Sequence, residues 1–164
     1  VFWGGVFGVC GGFAFVVVVV GWRVFWVLVG FDRGAIVSLL AELRAKYGTL
    51  ILIGYSVGAT LAWLAARSGL CDAAVCHYGS RIRLYSDVAP PCPTLVIIAR
   101  DEPAFDPRVM QNELEKIPSV TCRMFNAQHG FCDADSPAWD ARLAQQADED
   151  TLRFLTLIQQ TQEA

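Results

Sequence analysis

The stretch ILIGYSVGATLAWLAARSG, residues 51–69, decides how this chain is read. An apolar strand runs into Gly54-Tyr55-Ser56-Val57-Gly58, and an alanine- and leucine-rich helix follows. A serine in such a GxSxG turn stands on a strained strand-to-helix elbow, and the two small flanking residues let strand and helix approach closely. Its hydroxyl is a poor nucleophile until a base removes the proton. The base in turn needs an acid that fixes its tautomer and stabilises its cationic form. Whether Ser56 is a nucleophile therefore depends on a histidine and a carboxylate elsewhere in the chain.

Working outward, WRVFWVLVG (residues 22–30) suits a strand buried on both faces, and Asp32-Arg33-Gly34 breaks it. Ile36, Val37, Leu39, Leu40, Leu43 and Tyr47 then recur at helical spacing, with Gly48 as the stop. Downstream, AAVCHYG (73–79), TLVIIA (94–99) and VTCRMF (120–125) are strand candidates. Pro107 opens a helix running to about Ile117, since its missing N–H costs nothing in a first turn. NAQHGFCDADSP (126–137) reads as a polar loop, and residues 138–160 as one long helix or two broken ones. Apolar strands alternating with helices imply a mostly parallel sheet covered on both faces. The expectation is one three-layer α/β domain over residues 1–164.

Thirteen basic against 16 acidic residues, with no lysine- or arginine-rich run, argue against nucleic-acid binding. The six cysteines never form a CxxC pair, which points to a reduced, cytoplasmic protein without structural zinc. Residues 1–22 carry no charge, which meets the length and polarity criteria of a membrane-spanning helix. Several glycines at the start, five valines at the end and the lack of a basic stretch ahead favour a buried strand plus a buried helix instead.

An α/β sheet built around GxSxG supplies its partners in the order serine, acid, histidine. Asp101 follows the strand 94–99, with Glu102 and Asp106 as rivals for the acid. His129 follows the strand 120–125 and precedes Gly130. All three can converge at the carboxyl ends of neighbouring strands, where open α/β sheets build their sites. His77 lies inside a strand and reads as a core or supporting histidine, and nothing places Cys132 on an elbow.

With these residues in place, the chain resembles the dienelactone hydrolase family of α/β-hydrolases. The resemblance rests on GYSVGATLAWLAA, CHYGS, PTLVIIARDEPAFDP with Asp101, and AQHGFCD with His129. Fainter matches are VFGV (6–9), similar to a loop after an early strand, and GWRVFWVLVGFDRG (21–34). The family's usual nucleophile is a cysteine where this chain has Ser56, and its customary glutamate ahead of that loop is replaced by Gly5. GGFAFVVVVV (11–20) stands where the family has an amphipathic helix, and the earliest strands are absent, so the expectation is either a pared-down member or a sequence incomplete over its first third.

The resemblance implies hydrolysis of a small-molecule ester or lactone through an acyl-enzyme, with neither metal nor organic cofactor. It implies Ser56, Asp101 and His129 as the catalytic set, and the N–H groups of Val57 and Val6 as the oxyanion hole. Arg33 matches an arginine that holds a substrate carboxylate. Thioesterase or peptidase chemistry would use the same residues. A non-catalytic or membrane-anchored interaction protein is the alternative of a different class.

Overall fold

The computed structural model describes residues 9–10, 13–18 and 33–163, with side chains described from residue 36 to residue 161. The expected strand at residues 22–30 lies outside the described residues, and so does Val6. The described chain runs β1 (Val9–Cys10), β2 (Phe13–Val18), α1 (Arg33–Arg44), β3 (Leu50–Tyr55), α2 (Val57–Ala66) and β4 (Ala73–His77). A short 3-10 turn (Ser80–Leu84), β5 (Thr94–Asp101), α3 (Pro107–Leu114), β6 (Val120–Gln128) and α4 (Ala141–Glu163) follow. The strands form one sheet in sequence order, β1-β2-β3-β4-β5-β6. β1 pairs antiparallel with β2, and every later pair is parallel.

The period-two geometry of a strand sends alternate side chains to opposite faces, and both faces here are apolar. Leu50 and Leu52 of β3 join Leu40, Trp63, Val96 and Leu114 in a core that α1, α2 and α3 cover. Ile51 and Ile53 point the other way, into a second core with Val75, Ile97, Phe131, Leu143 and Ala147 under α4. This is the three-layer arrangement that the strands without polar alternation require. Nine consecutive residues of α2, Gly58 through Ala66, are buried. That helix is therefore apolar all round, as a helix enclosed by protein should be.

Three local expectations are sharpened or corrected. Phe13–Val18 is a strand in register with β3, not part of a helix, and it is incompatible with one spanning helix over residues 1–22. The β-branched valines, which lose side-chain freedom in a helix, account for this. β6 continues to Gln128, so residues 126–128 belong to a strand rather than to a loop. Asn126 and Gln128 are exposed while Ala127 is buried, the pattern of an edge strand. Residues 141–163 form one helix, entered through Asp140, whose Oδ1 accepts the N–H of Leu143 at 2.9 Å. Among the described residues, no helix is long and apolar enough to cross a membrane.

Candidate active site

The elbow forms because strand and helix touch. A Cβ on Gly54 would stand 2.2 Å from the carbonyl oxygen of Gly58, so only glycine permits this approach. Ser56, squeezed between β3 and α2, takes φ 54° and ψ −117°. Such a conformation costs a non-glycine residue about 1–3 kcal/mol and persists only where surrounding contacts hold it. Those contacts are on both sides: the Ser56 N–H donates to the His77 carbonyl at 2.9 Å, and the Ser56 carbonyl accepts from Ala59 at 3.1 Å. Val57 opens α2, where the first N–H groups have no acceptor within the helix.

His129 sits immediately beyond β6, followed by Gly130 at φ 90°. Its Nε2 lies 2.8 Å from the Ser56 Oγ. Its Nδ1 lies 2.6 Å from Oε1 of Glu102. An ionised carboxylate only accepts, so Nδ1–H donates to Glu102 and leaves Nε2 as acceptor for the serine hydroxyl. Tyr78, buried and also at positive φ, presses edge-on against the His129 ring with centroids 5.1 Å apart.

The acid at His129 is therefore Glu102, not the expected Asp101. The two acids lie where the regular pairing of β5 with β6 ends. β5 runs past its apolar stretch to Asp101, and its pairing with β6 slips by one residue, from Ala99 opposite Phe125 to Asp101 opposite Gln128. Asp101 turns outward, with its side chain 52% exposed and 3.5 Å from Arg100. Glu102, one residue on, faces inward with its side chain 7% exposed. Asp106, the other rival, caps α3 through the Arg108 N–H at 2.9 Å.

The remaining polar groups have quieter roles. His77 is fully buried, stacked on Tyr55 at 4.3 Å, and burial pushes its pKa down to about 3. It is a neutral core histidine with Thr151 Oγ1 3.4 Å from its Nε2. Burial pushes the Cys132 thiol up to about 12, which makes it a poor nucleophile at neutral pH. Arg33 begins α1, but its side chain lies outside the described residues. Among the described residues, no group of three or more histidine, cysteine or acidic side chains is arranged to hold a metal ion.

Residues 27–159 match the model of the dienelactone hydrolase family. A Bacillus subtilis (strain 168) protein, YczH, described as uncharacterized, is 37% identical over 89 residues, which is 53% of this chain and 44% of that protein. The chain thus aligns with less than half of this curated relative's length. Among solved structures, Est1E from Butyrivibrio proteoclasticus superposes with a TM-score of 0.52 at 10% identity, over 74% of this chain and 69% of that one. A Pyrococcus furiosus esterase superposes with a TM-score of 0.54 at 16% identity, over 74% and 60%. At these identities the likeness is one of fold.

Proposed function

Since the chain belongs to the dienelactone hydrolase family of α/β-hydrolases, we propose that it hydrolyses small-molecule carboxylic esters or lactones through an acyl-enzyme on Ser56. The observation that carries this reading is the continuous relay from Ser56 Oγ to His129 Nε2 and from His129 Nδ1 to Glu102. Ser56 Oγ attacks the carbonyl carbon while His129 Nε2 takes the hydroxyl proton. Glu102 keeps Nδ1 protonated and stabilises the imidazolium that forms. The oxyanion that develops is met by the N–H of Val57 at the start of α2, where the helix dipole also favours negative charge. Val6 is proposed as the second donor, and Arg33 as the partner of a substrate carboxylate.

Collapse of the tetrahedral intermediate expels the alcohol, which receives the proton from His129. Water then attacks the acyl-enzyme with the same histidine as base, and the acid product leaves with Ser56 regenerated. The test is hydrolysis of p-nitrophenyl acetate by the purified protein and by Ser56→Ala, together with a fluorophosphonate label located by peptide mass. Turnover that falls by about 10⁴-fold or more in the variant, with a single adduct on Ser56, is the expected result. No turnover and no adduct in a sample shown to be folded would sink the proposal.

A further inference from the structure

The opposite end of the strands carries a pair of neighbouring thiols. Cys71 precedes β4 and Cys92 precedes β5, and these strands are parallel neighbours with Ala74 opposite Thr94. The two sulfurs lie 3.6 Å apart, against about 2.05 Å in a disulfide. Both residues are buried, 5% and 7% exposed.

The backbone around both is held in place. Arg44 donates from Nε to the Leu70 carbonyl at 2.9 Å and from Nη2 to Asp72 Oδ2 at 2.7 Å, bracketing Cys71. On the other strand, Thr94 Oγ1 donates to the Cys92 carbonyl at 3.1 Å, and the Ala74 N–H donates to the Pro93 carbonyl at 3.0 Å. With the backbone held on both sides, a bond between the sulfurs would have to form by side-chain rotation.

We propose that Cys71 and Cys92 are a redox-active pair that peroxide converts to an intramolecular disulfide, stapling the amino ends of β4 and β5. One sulfur of the pair attacks the O–O bond of hydrogen peroxide; an S–O bond forms, the O–O bond breaks, and the departing hydroxide leaves as water with the thiol proton. The second sulfur then attacks the oxidised one; the S–S bond forms, the S–O bond breaks, and a second water leaves with the second thiol's proton. Two thiols lose two electrons in total, and the peroxide is reduced to two waters. A dithiol reductant reverses the bond by exchange.

At this separation the S–H of either thiol can donate to the sulfur of the other, which favours whichever one ionises. Burial raises Cys76 and Cys122, the other thiols of the same core, and so disfavours their thiolates. The cross-link closes the loop between Cys71 and Cys92 and restricts the unfolded chain, which raises the melting temperature. The relay at the other end of the strands is untouched, so this inference stands or falls independently of the proposed hydrolysis.

The experiment treats the full chain with stoichiometric hydrogen peroxide, blocks the remaining thiols by alkylation, and maps non-reduced peptides. Expected are one Cys71–Cys92 cross-linked peptide, two fewer free thiols, and a melting temperature that rises and then returns on adding a dithiol. Cys71→Ala and Cys92→Ala should each show neither cross-link nor rise. Retention of all free thiols, pairing of either residue with a different cysteine, or a cross-link that leaves melting unchanged would overturn the proposal.

Discussion

Toward the amino end of β4 a positive φ falls on Gly69, which tolerates it, whereas at the carboxyl ends of β3 and β4 the backbone leaves ordinary geometry: Ser56 and Tyr78 take positive φ without being glycines. The polar side chains there hold one another, serine to histidine to glutamate. At the amino ends of β3 and β4 the polar groups close a local circuit instead. Arg44 binds Leu70, Gly48 and Asp72, and Asp72 also accepts the Leu50 N–H at 2.7 Å. Strain persists only where packing enforces it. The quiet edge ties the strands together, and the strained edge is where the proposed chemistry lies.

The sharpest way to break this contrast is to remove the close approach that creates the strain. In Gly54→Ala the new Cβ would meet backbone atoms of Gly58 and Ala59 at 2.2 to 2.7 Å, and backbone cannot rotate away. A stability loss of about 3 kcal/mol or more is expected by chemical denaturation, with loss of fluorophosphonate labelling at Ser56 in whatever fraction folds. A gentler effect belongs to the quiet edge. Asp72→Ala removes a charge-assisted hydrogen bond to Arg44 and the acceptor for Leu50, and should cost about 2 kcal/mol. Its kcat on p-nitrophenyl acetate should stay at the parent value; a fall would show that the two ends are coupled.

A pH-dependent effect isolates His77. His77 has its pKa lowered from 6.5 to about 3 by burial, so the unfolded chain binds a proton that the folded one refuses. Stability from this group is complete above about pH 6.5 and is lost as pH falls toward 3, at up to about 1.4 kcal/mol per pH unit. Urea unfolding across this range should show that slope in the parent and its absence in His77→Gln. An equal slope in both would assign the acid sensitivity elsewhere.

The elbow, the helix opened by Pro107 and the four strands from Leu50 onward were legible because each is written locally, as an apolar run, a cap or a glycine pair. Ser56 and His129 were legible for the same reason. Glu102 was not separable from Asp101, because the choice depends on a one-residue slip between β5 and β6, a long-range pairing that neither strand declares on its own. The pairing of Cys71 with Cys92 was equally hidden, since it rests on two loops brought together by adjacent strands. For Phe13–Val18 the sequence left strand and helix unassigned, since its place relative to the family's motifs is that of a helix whereas its valines favour the sheet.

Exchanging the two neighbouring acids for amides tests the relay most directly. For Glu102→Gln, kcat/KM on p-nitrophenyl acetate should fall by about 10³- to 10⁴-fold, since the amide no longer holds His129 in the required tautomer. For Asp101→Asn it should stay within about threefold of the parent, as expected of an outward-facing surface carboxylate. Loss of activity in Asp101→Asn with Glu102→Gln unimpaired would contradict the relay described here.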